Sequence, residues 1–331
     1  MEPGLTRQIF GLETNRTQLQ IDFLYKCINT YLSPTLKAII SHLTYNKAMP
    51  ELPEVETIRR ILINGSESTP SILGQVVTGA SLFWPKTLAT ANLQDLQANL
   101  AGQPILNLTR RGKFLLIELK ENHLVIHLRM SGDLRMAENL GTPRETDPIL
   151  PHDRFYLHFR SGFGLAFNDT RKFGRVWFVP DPHDLLQKLG PDPFDTELTE
   201  DLFYTMLLSK NRQIKSLLLD QTFLAGIGNI YSDETLFGSK IHPTRSSRSL
   251  TYSEAALLLA KIKASLQLGI DHNGASIDWV YRGGNFQNYF QVYQRKGQPC
   301  PVCGTLIVRT TVSQRGTHYC PNCQPKEKKD T

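Results

Sequence analysis

The run Met49-Pro50-Glu51-Leu52-Pro53-Glu54-Val55-Glu56-Thr57 predicts a helix that starts directly after a methionine. Val55, Ile58 and Leu62 recur at helical spacing, with Glu54, Arg59 and Arg60 on other faces. Pro53 suits the first turn, where a missing N–H breaks no intrahelical bond.

Before this run lie residues 1–48, with helical-looking patches such as Ile21-Asp22-Phe23-Leu24-Tyr25 and no recognisable chemistry. After it, from about 75 to 179, the pattern shortens. Val125-Ile126-His127-Leu128, Phe155-Tyr156-Leu157-His158-Phe159 and Val176-Trp177-Phe178 read as strands separated by glycine-containing turns. Residues 141–151 read as a long surface loop. Leu189-Gly190-Pro191-Asp192-Pro193 marks a boundary, and 199–268 reads as helical, with a capping-box signature at Thr251-Tyr252-Ser253-Glu254. The expectation is an α+β multidomain chain: a leading helix, then a β-sandwich or barrel, then a helical domain, then a small C-terminal module.

The chain has 331 residues, 40% hydrophobic and 21% charged, which excludes disordered, collagen-like and disulfide-scaffold classes. No run of 18 apolar residues and no secretory signal is present, so neither a membrane span nor export is expected. The net charge of +6 permits a polyanionic partner. Residues 291–331 carry seven Lys and Arg against two Asp and Glu, so the excess is concentrated there. Cys300-x2-Cys303-x16-Cys320-x2-Cys323 has structural-zinc spacing, and four thiolates leave no open position for catalysis. Residues 305–312 alternate like a strand, and Arg315-Gly316 is the expected hairpin turn back to Tyr319. Arg309, Arg315 and Lys296 would make such a hairpin a phosphate-binding device.

The opening run resembles the N-terminus of bacterial formamidopyrimidine-DNA glycosylases, bifunctional base-excision enzymes of the Fpg/Nei family. The resemblance continues across nearly all of 49–324. Its segments are Arg110-Arg111-Gly112-Lys113-Phe114, His127-Leu128-Arg129-Met130-Ser131-Gly132, Asn168-Asp169-Thr170-Arg171-Lys172-Phe173-Gly174, Leu217-Leu218-Leu219-Asp220-Gln221, Gly226-Ile227-Gly228-Asn229-Ile230-Tyr231, and the cysteine set. Leu52 looks like the Fpg branch. The resemblance implies a β-sandwich domain over 49–188, a helix-two-turn-helix domain over 189–290, a zinc-finger hairpin over 291–325 and a basic tail over 326–331. It also implies a monomeric, cytoplasmic, nucleoid-associated bacterial enzyme. Its partner would be double-stranded DNA containing oxidised bases, and its cofactor one structural Zn2+.

It further implies that Pro50 is the nucleophile. A terminal amine has a pKa of ~7.7–8 against ~10.4 for lysine, worth ~3–4 kcal/mol of nucleophile activation at pH 7. Glu51 would transfer protons at the sugar, Lys113 would assist β-elimination, and Arg315 would assist δ-elimination. Met130, Arg171 and Phe173 would enter the duplex, as base eversion requires. His127, His152, Lys210, Lys215 and Asn229 would contact the DNA backbone. Glu54 fits a catalytic or a merely helical role equally well.

The chain departs from the family at three places. Pro50 is internal, and its nitrogen there is an amide without a free lone pair. The expectation is that synthesis begins at Met49 or that the extension is removed; otherwise the chain is a silent damage-binding homologue. Residues 274–286, which would close over an everted base, look short and carry Trp279 and Tyr281, so the choice between 8-oxoguanine and formamidopyrimidines stays open; a rival reading is a Nei-like preference for oxidised pyrimidines. Arg154 stands where many relatives have a second histidine.

Overall fold

The computed structural model describes residues 49–90, 92–138, 150–276 and 283–326. Helix α1 (Leu52–Asn64) begins as the sequence predicts, with Glu51 at the N-cap and Pro53 in the first turn. Glu51 and Glu54 form a reciprocal capping box, and Glu51 N donates to Glu54 Oε2 at 2.8 Å. The helix divides its apolar residues between two cores. Leu52 is buried in the core of the helical region, whereas Val55, Ile58 and Leu62 are buried against the sheets.

Eight strands follow: β1 (Val77–Leu82), β2 (Ile105–Arg111), β3 (Phe114–Leu119), β4 (His123–His127), β5 (Gly132–Glu138), β6 (Asp153–Phe159), β7 (Phe163–Asp169) and β8 (Arg175–Val179). They form two separate antiparallel sheets, ordered β1-β6-β7-β5 and β2-β3-β4-β8. In β3 the residues Leu115, Ile117 and Leu119 are buried in strict alternation, the period expected of a strand with one face on the core. They meet Leu157, Leu165 and Phe167 of the other sheet in one cluster, which makes the unit a sandwich. Each such fully buried side chain contributes ~1.5–3 kcal/mol. A short helix, α2 (Leu93–Leu100), interrupts the strand region that the sequence reading took as continuous. Its Asn92 cap and the spacing of Leu93, Leu96 and Leu100 carry the helical signal over barely two turns.

The helical region comprises α3 (His183–Leu186), α4 (Glu200–Leu208), α5 (Ile214–Leu218), α6 (Asn229–Gly238) and α7 (Tyr252–Asp271). The capping box at Thr251 and Glu254 opens α7 as expected. Arg110, at the end of β2, ties the sandwich to the segment entering this region. It donates to Glu56 Oε2 at 3.2 Å and to Asp192 Oδ2 at 2.7 Å. Burial pushes the Glu56 carboxyl up, but hydrogen bonds from Arg59 and Arg60 and the Arg110 charge pull it down to about 2.

The C-terminal hairpin pairs β9 (Val308–Val312) with β10 (Arg315–Tyr319). Its turn is Ser313-Gln314, at φ 49° and 61°, and not Arg315-Gly316. Two consecutive residues at positive φ match the twist of a tight hairpin, and this frees Arg315 to open a strand. The surface loop expected over 141–151 lies almost wholly outside the described residues, as do Cys27, Trp279 and Tyr281. Among the described residues no helix is long and apolar enough to cross a membrane.

Candidate active site

Pro50 and Glu51 are buried where α1 meets the start of α6. The Glu51 carboxylate accepts from Gly228 N at 2.6 Å and from Ile230 N at 2.9 Å. These are orphan donors of a helix N-terminus, a natural seat for an anion. Two glycines make the approach feasible. A Cβ on Gly228 would lie 2.6 Å from Glu51 Oε1, and Gly226, at φ +100°, would place one 2.6 Å from Leu52 Cδ1. The Gly-Ile-Gly spacing therefore exists so that α6 can reach the first residues of α1.

Burial pushes the Glu51 carboxyl up to about 7, against the Lys113 ammonium and the α6 backbone donors, which stabilise its charged form. Lys113 lies in the β2–β3 turn and is itself buried. Burial lowers its pKa, while Glu51 and Glu54 oppose that shift and the charge of Arg315 adds to it. Lys113 thus stands within electrostatic reach of both Glu51 and Arg315, so the four expected catalytic residues converge from α1, the β2–β3 turn and the hairpin. A carboxyl pushed toward neutrality beside a buried amine is suited to proton transfer.

Glu54 is also buried, and faces inward rather than onto an outer face. It accepts from Ala275 N at 2.8 Å and from Tyr231 OH at 3.1 Å. It thereby holds one foot of the segment that contains 277–282. Gly284 N donates to Ser276 Oγ at 2.9 Å, closing the same foot from the other side.

The expected duplex-entering residues lie on two loops of the sandwich. Phe173 is 47% exposed, so it is no core residue, and the Arg171 guanidinium lies 4.9 Å from its ring centroid. Met130 is half-buried. Asp169 joins the two loops, accepting from Ser131 Oγ, from Arg171 N at 3.1 Å and from Gly174 N at 2.7 Å. Arg129 and Lys172, neighbours of these wedges, stand at φ 57° and 61°. Left-handed backbone at a non-glycine residue costs ~1–2 kcal/mol, and such strain gathers at functional loops.

The other expected DNA contacts divide. Lys210 is exposed just past α4, and His152 is exposed at φ 77° with Nδ1 3.1 Å from Arg154 Nη2. His127 is buried, and its Nδ1 accepts from Arg129 N at 3.0 Å. Burial, then the charges of Arg129 and Lys113, push its pKa down to about 3, so it is neutral and can donate only through Nε2. Asn229 opens α6 and donates to Gly316 O at 3.0 Å, leaving its buried Oδ1 without a partner. Lys215 is corrected: it is fully buried against Asp233, with no face open to a phosphate. Asp169 and Asp233 went unremarked as site-building residues, because each acts on a partner distant in sequence.

The four cysteine sulfurs lie within 4.8 Å of one another. Cys300 and Cys323 are 3.9 Å apart, and Cys303 and Cys320 3.5 Å. A tetrahedral zinc with Zn–S of ~2.3 Å requires sulfurs ~3.8 Å apart, so the donor set fits that ion. Cys300, Cys303, Cys320 and Cys323 hold one zinc, which shapes the hairpin carrying Arg315. Native mass spectrometry should find one zinc per chain and none in Cys320→Ser, with the hairpin strands losing amide protection. Retained zinc in that variant would refute the assignment.

Residues 49–176 match the formamidopyrimidine-DNA glycosylase N-terminal domain, 189–280 its H2TH domain, and 297–326 a zinc finger found in FPG and IleRS. A formamidopyrimidine-DNA glycosylase of Pelotomaculum thermopropionicum is 39% identical over 285 residues, which are 83% of this chain and 99% of the relative. The chain belongs to the formamidopyrimidine-DNA glycosylase family. A second such glycosylase, from Pediococcus pentosaceus, is 40% identical over 83% of this chain and 99% of its own. Among solved structures, a Lactococcus lactis Fpg in complex with DNA containing an abasic site superposes with a TM-score of 0.74. That match is at 38% identity and covers 83% of this chain and all of that one. A MutM in complex with DNA containing carbocyclic 8-oxo-G gives 0.75 at 38% identity, over 84% of this chain and 100% of that one. The first family match begins at Met49, the residue before the buried proline.

Proposed function

We propose that this glycosylase acts in base-excision repair with Pro50 as its first residue. It excises oxidised purines from double-stranded DNA and then cuts the abasic strand on both sides. The observation that carries the reading is the buried Glu51 carboxyl beside Pro50, docked on the α6 N-terminus and facing the Lys113 charge, which in turn feels that of Arg315. Residues 1–48 are then no part of the mature enzyme. The catalytic sandwich spans 49–188, the helix-two-turn-helix domain 189–290, the zinc finger 291–325 and a basic tail 326–331. The enzyme works in the cytoplasm, on the nucleoid.

The Pro50 secondary amine attacks sugar C1′. The N–C1′ bond forms, the glycosidic bond breaks, and the base leaves with the bonding pair and takes up a proton. Glu51, protonated, donates to the sugar ring oxygen as the C1′–O4′ bond breaks and the nitrogen lone pair forms the C1′=N bond. The resulting iminium withdraws electrons, so the C2′ proton is lost to a base, a C2′–C3′ double bond forms, and the 3′-phosphate departs. Lys113 balances the charge of that phosphate. A second proton loss, from C4′, expels the 5′-phosphate, beside which Arg315 stands. Water then hydrolyses the imine, returning the amine and releasing an unsaturated aldehyde. Met130, Arg171 and Phe173 fill the gap left by the everted base, and His127, His152, Lys210 and Asn229 hold phosphates. The zinc serves only to fold the hairpin.

The test is a lesion panel with protein starting at Pro50. Formamidopyrimidine and 8-oxoguanine should be released at least ~10-fold faster than oxidised pyrimidines, a margin of about 1.4 kcal/mol in transition-state binding. Preferential release of oxidised pyrimidines would overturn the purine assignment.

A further inference from the structure

Lys215 and Asp233 form an ion pair with both side chains fully buried, the ammonium 2.5 Å from Asp233 Oδ1. They stand on α5 and α6, yet both reach into the zinc hairpin. Lys215 Nζ also donates to Gly316 O at 3.2 Å, where Asn229 Nδ2 donates as well at 3.0 Å. Asp233 Oδ2 accepts from His318 N at 2.8 Å and faces His318 Nδ1 at 3.3 Å. Three side chains of the helical region therefore hold the backbone of 316 and 318, immediately after Arg315, while Arg315 itself remains exposed. The apolar contact between hairpin and helices is small, built on Phe237, Val292, Cys300, Ile307 and Cys320. Such a patch tolerates sliding. A buried ion pair does not, because any shift leaves a charge unpaired in a dry environment. A pair of this kind adds little to stability and much to the uniqueness of one arrangement.

We propose that Asp233, through Lys215, is a positioning residue for the second strand cut: it fixes the β10 backbone so that the Arg315 guanidinium meets the departing 5′-phosphate. This rests on the reading of Arg315 given above. Asp233 touches no DNA. Its effect falls chiefly on that step, because Pro50, Glu51 and Lys113 stand on α1 and the β2–β3 turn; Glu51 docks on the far, N-terminal end of the same α6, and trapping reports whether that end is disturbed.

The experiment uses protein starting at Pro50, with its zinc, on a duplex holding a preformed abasic site, so that base release plays no part. Products of β- and δ-elimination are separated by gel, and borohydride trapping reports iminium formation. In Asp233→Asn the ratio of δ- to β-product should fall ~10- to 100-fold, the scale of a misplacement by about 1 Å, with trapping and zinc content at the parent level. A second variant, Lys215→Met with Asp233→Leu, removes both charges together and leaves no orphaned ion. It should match the parent in Tm and still show the lowered ratio. A parental ratio in either variant that retains zinc overturns the proposal, as does an equal fall in trapping, β-product and δ-product, the mark of a merely structural role. Arg315→Ala runs alongside. If it keeps the parental ratio, the role of Arg315 fails and this inference with it; if it lowers the ratio and Asp233→Asn does not, the positioning role alone is refuted.

Discussion

Protein in which Met49 still acylates Pro50 gives no borohydride-trapped adduct with a duplex carrying 8-oxoguanine opposite cytosine, whereas protein starting at Pro50 is trapped. The difference is all or none. An acylated proline nitrogen delocalises its lone pair into the carbonyl and cannot form an iminium. Freed, the same atom is a secondary amine with a pKa of ~7.7–8, a useful fraction of it neutral at pH 7. Pro50 is buried beside Glu51. The measurement pairs chain 1–331 with protein starting at Met49, intact mass reporting whether the methionine has been removed. An adduct from unprocessed 1–331 would show that another amine does the chemistry. Lys113, buried and held below the usual lysine range, would be the first to replace.

Glu51→Gln should slow base release ~10²- to 10⁴-fold, the range of a general acid–base group. It should also change the shape of the pH profile. Below about 7 the Glu51 carboxyl is protonated and can donate; above it that form declines. The Pro50 amine behaves oppositely, gaining its neutral form as pH rises to ~8. Their product is a bell whose two apparent constants belong to the pair. A freed Pro50 ammonium next door draws the carboxyl lower, which widens the bell on its acid side. In Glu51→Gln only the amine titrates, so the rate should rise to a plateau and the alkaline fall should vanish. A variant that keeps the alkaline limb would remove Glu51 from the proton transfer. Trapping on a preformed abasic site should suffer less, since no base has to leave.

Much of this was legible in the sequence, for reasons that differ from part to part. The β-sandwich strands and the α7 capping box announce themselves through local periodicity, because a half-buried strand or a capped helix is decided by neighbours in sequence. The zinc site is legible because each Cys-x-x-Cys is itself a local turn. Pro50 and Glu51 were found through resemblance, not through pattern. What the sequence did not yield depends on contacts between distant segments. Glu54 fits a catalytic or a helical role equally well in the sequence, and its tie to Ala275, 221 residues later, is visible only in the fold. Lys215 reads as a surface cation until Asp233 is seen against it. The hairpin turn was misplaced because Ser313 and Gln314 are unusual choices for positive φ, and Arg315-Gly316 offered the more familiar glycine.

The docking of Glu51 onto Gly228 spans 177 residues of chain. During synthesis at ~5–20 residues per second, roughly 10–35 s separate the emergence of Pro50 from that of the helix which encloses it. In a chain begun at Met49, as proposed above, the α6 seat is absent during that interval and the N-terminus stays open to a processing enzyme. Once α6 arrives, Pro50 is buried and Met49 only half accessible. On the proposed reading, freeing of the amine would have to run ahead of the enclosure that α6 completes.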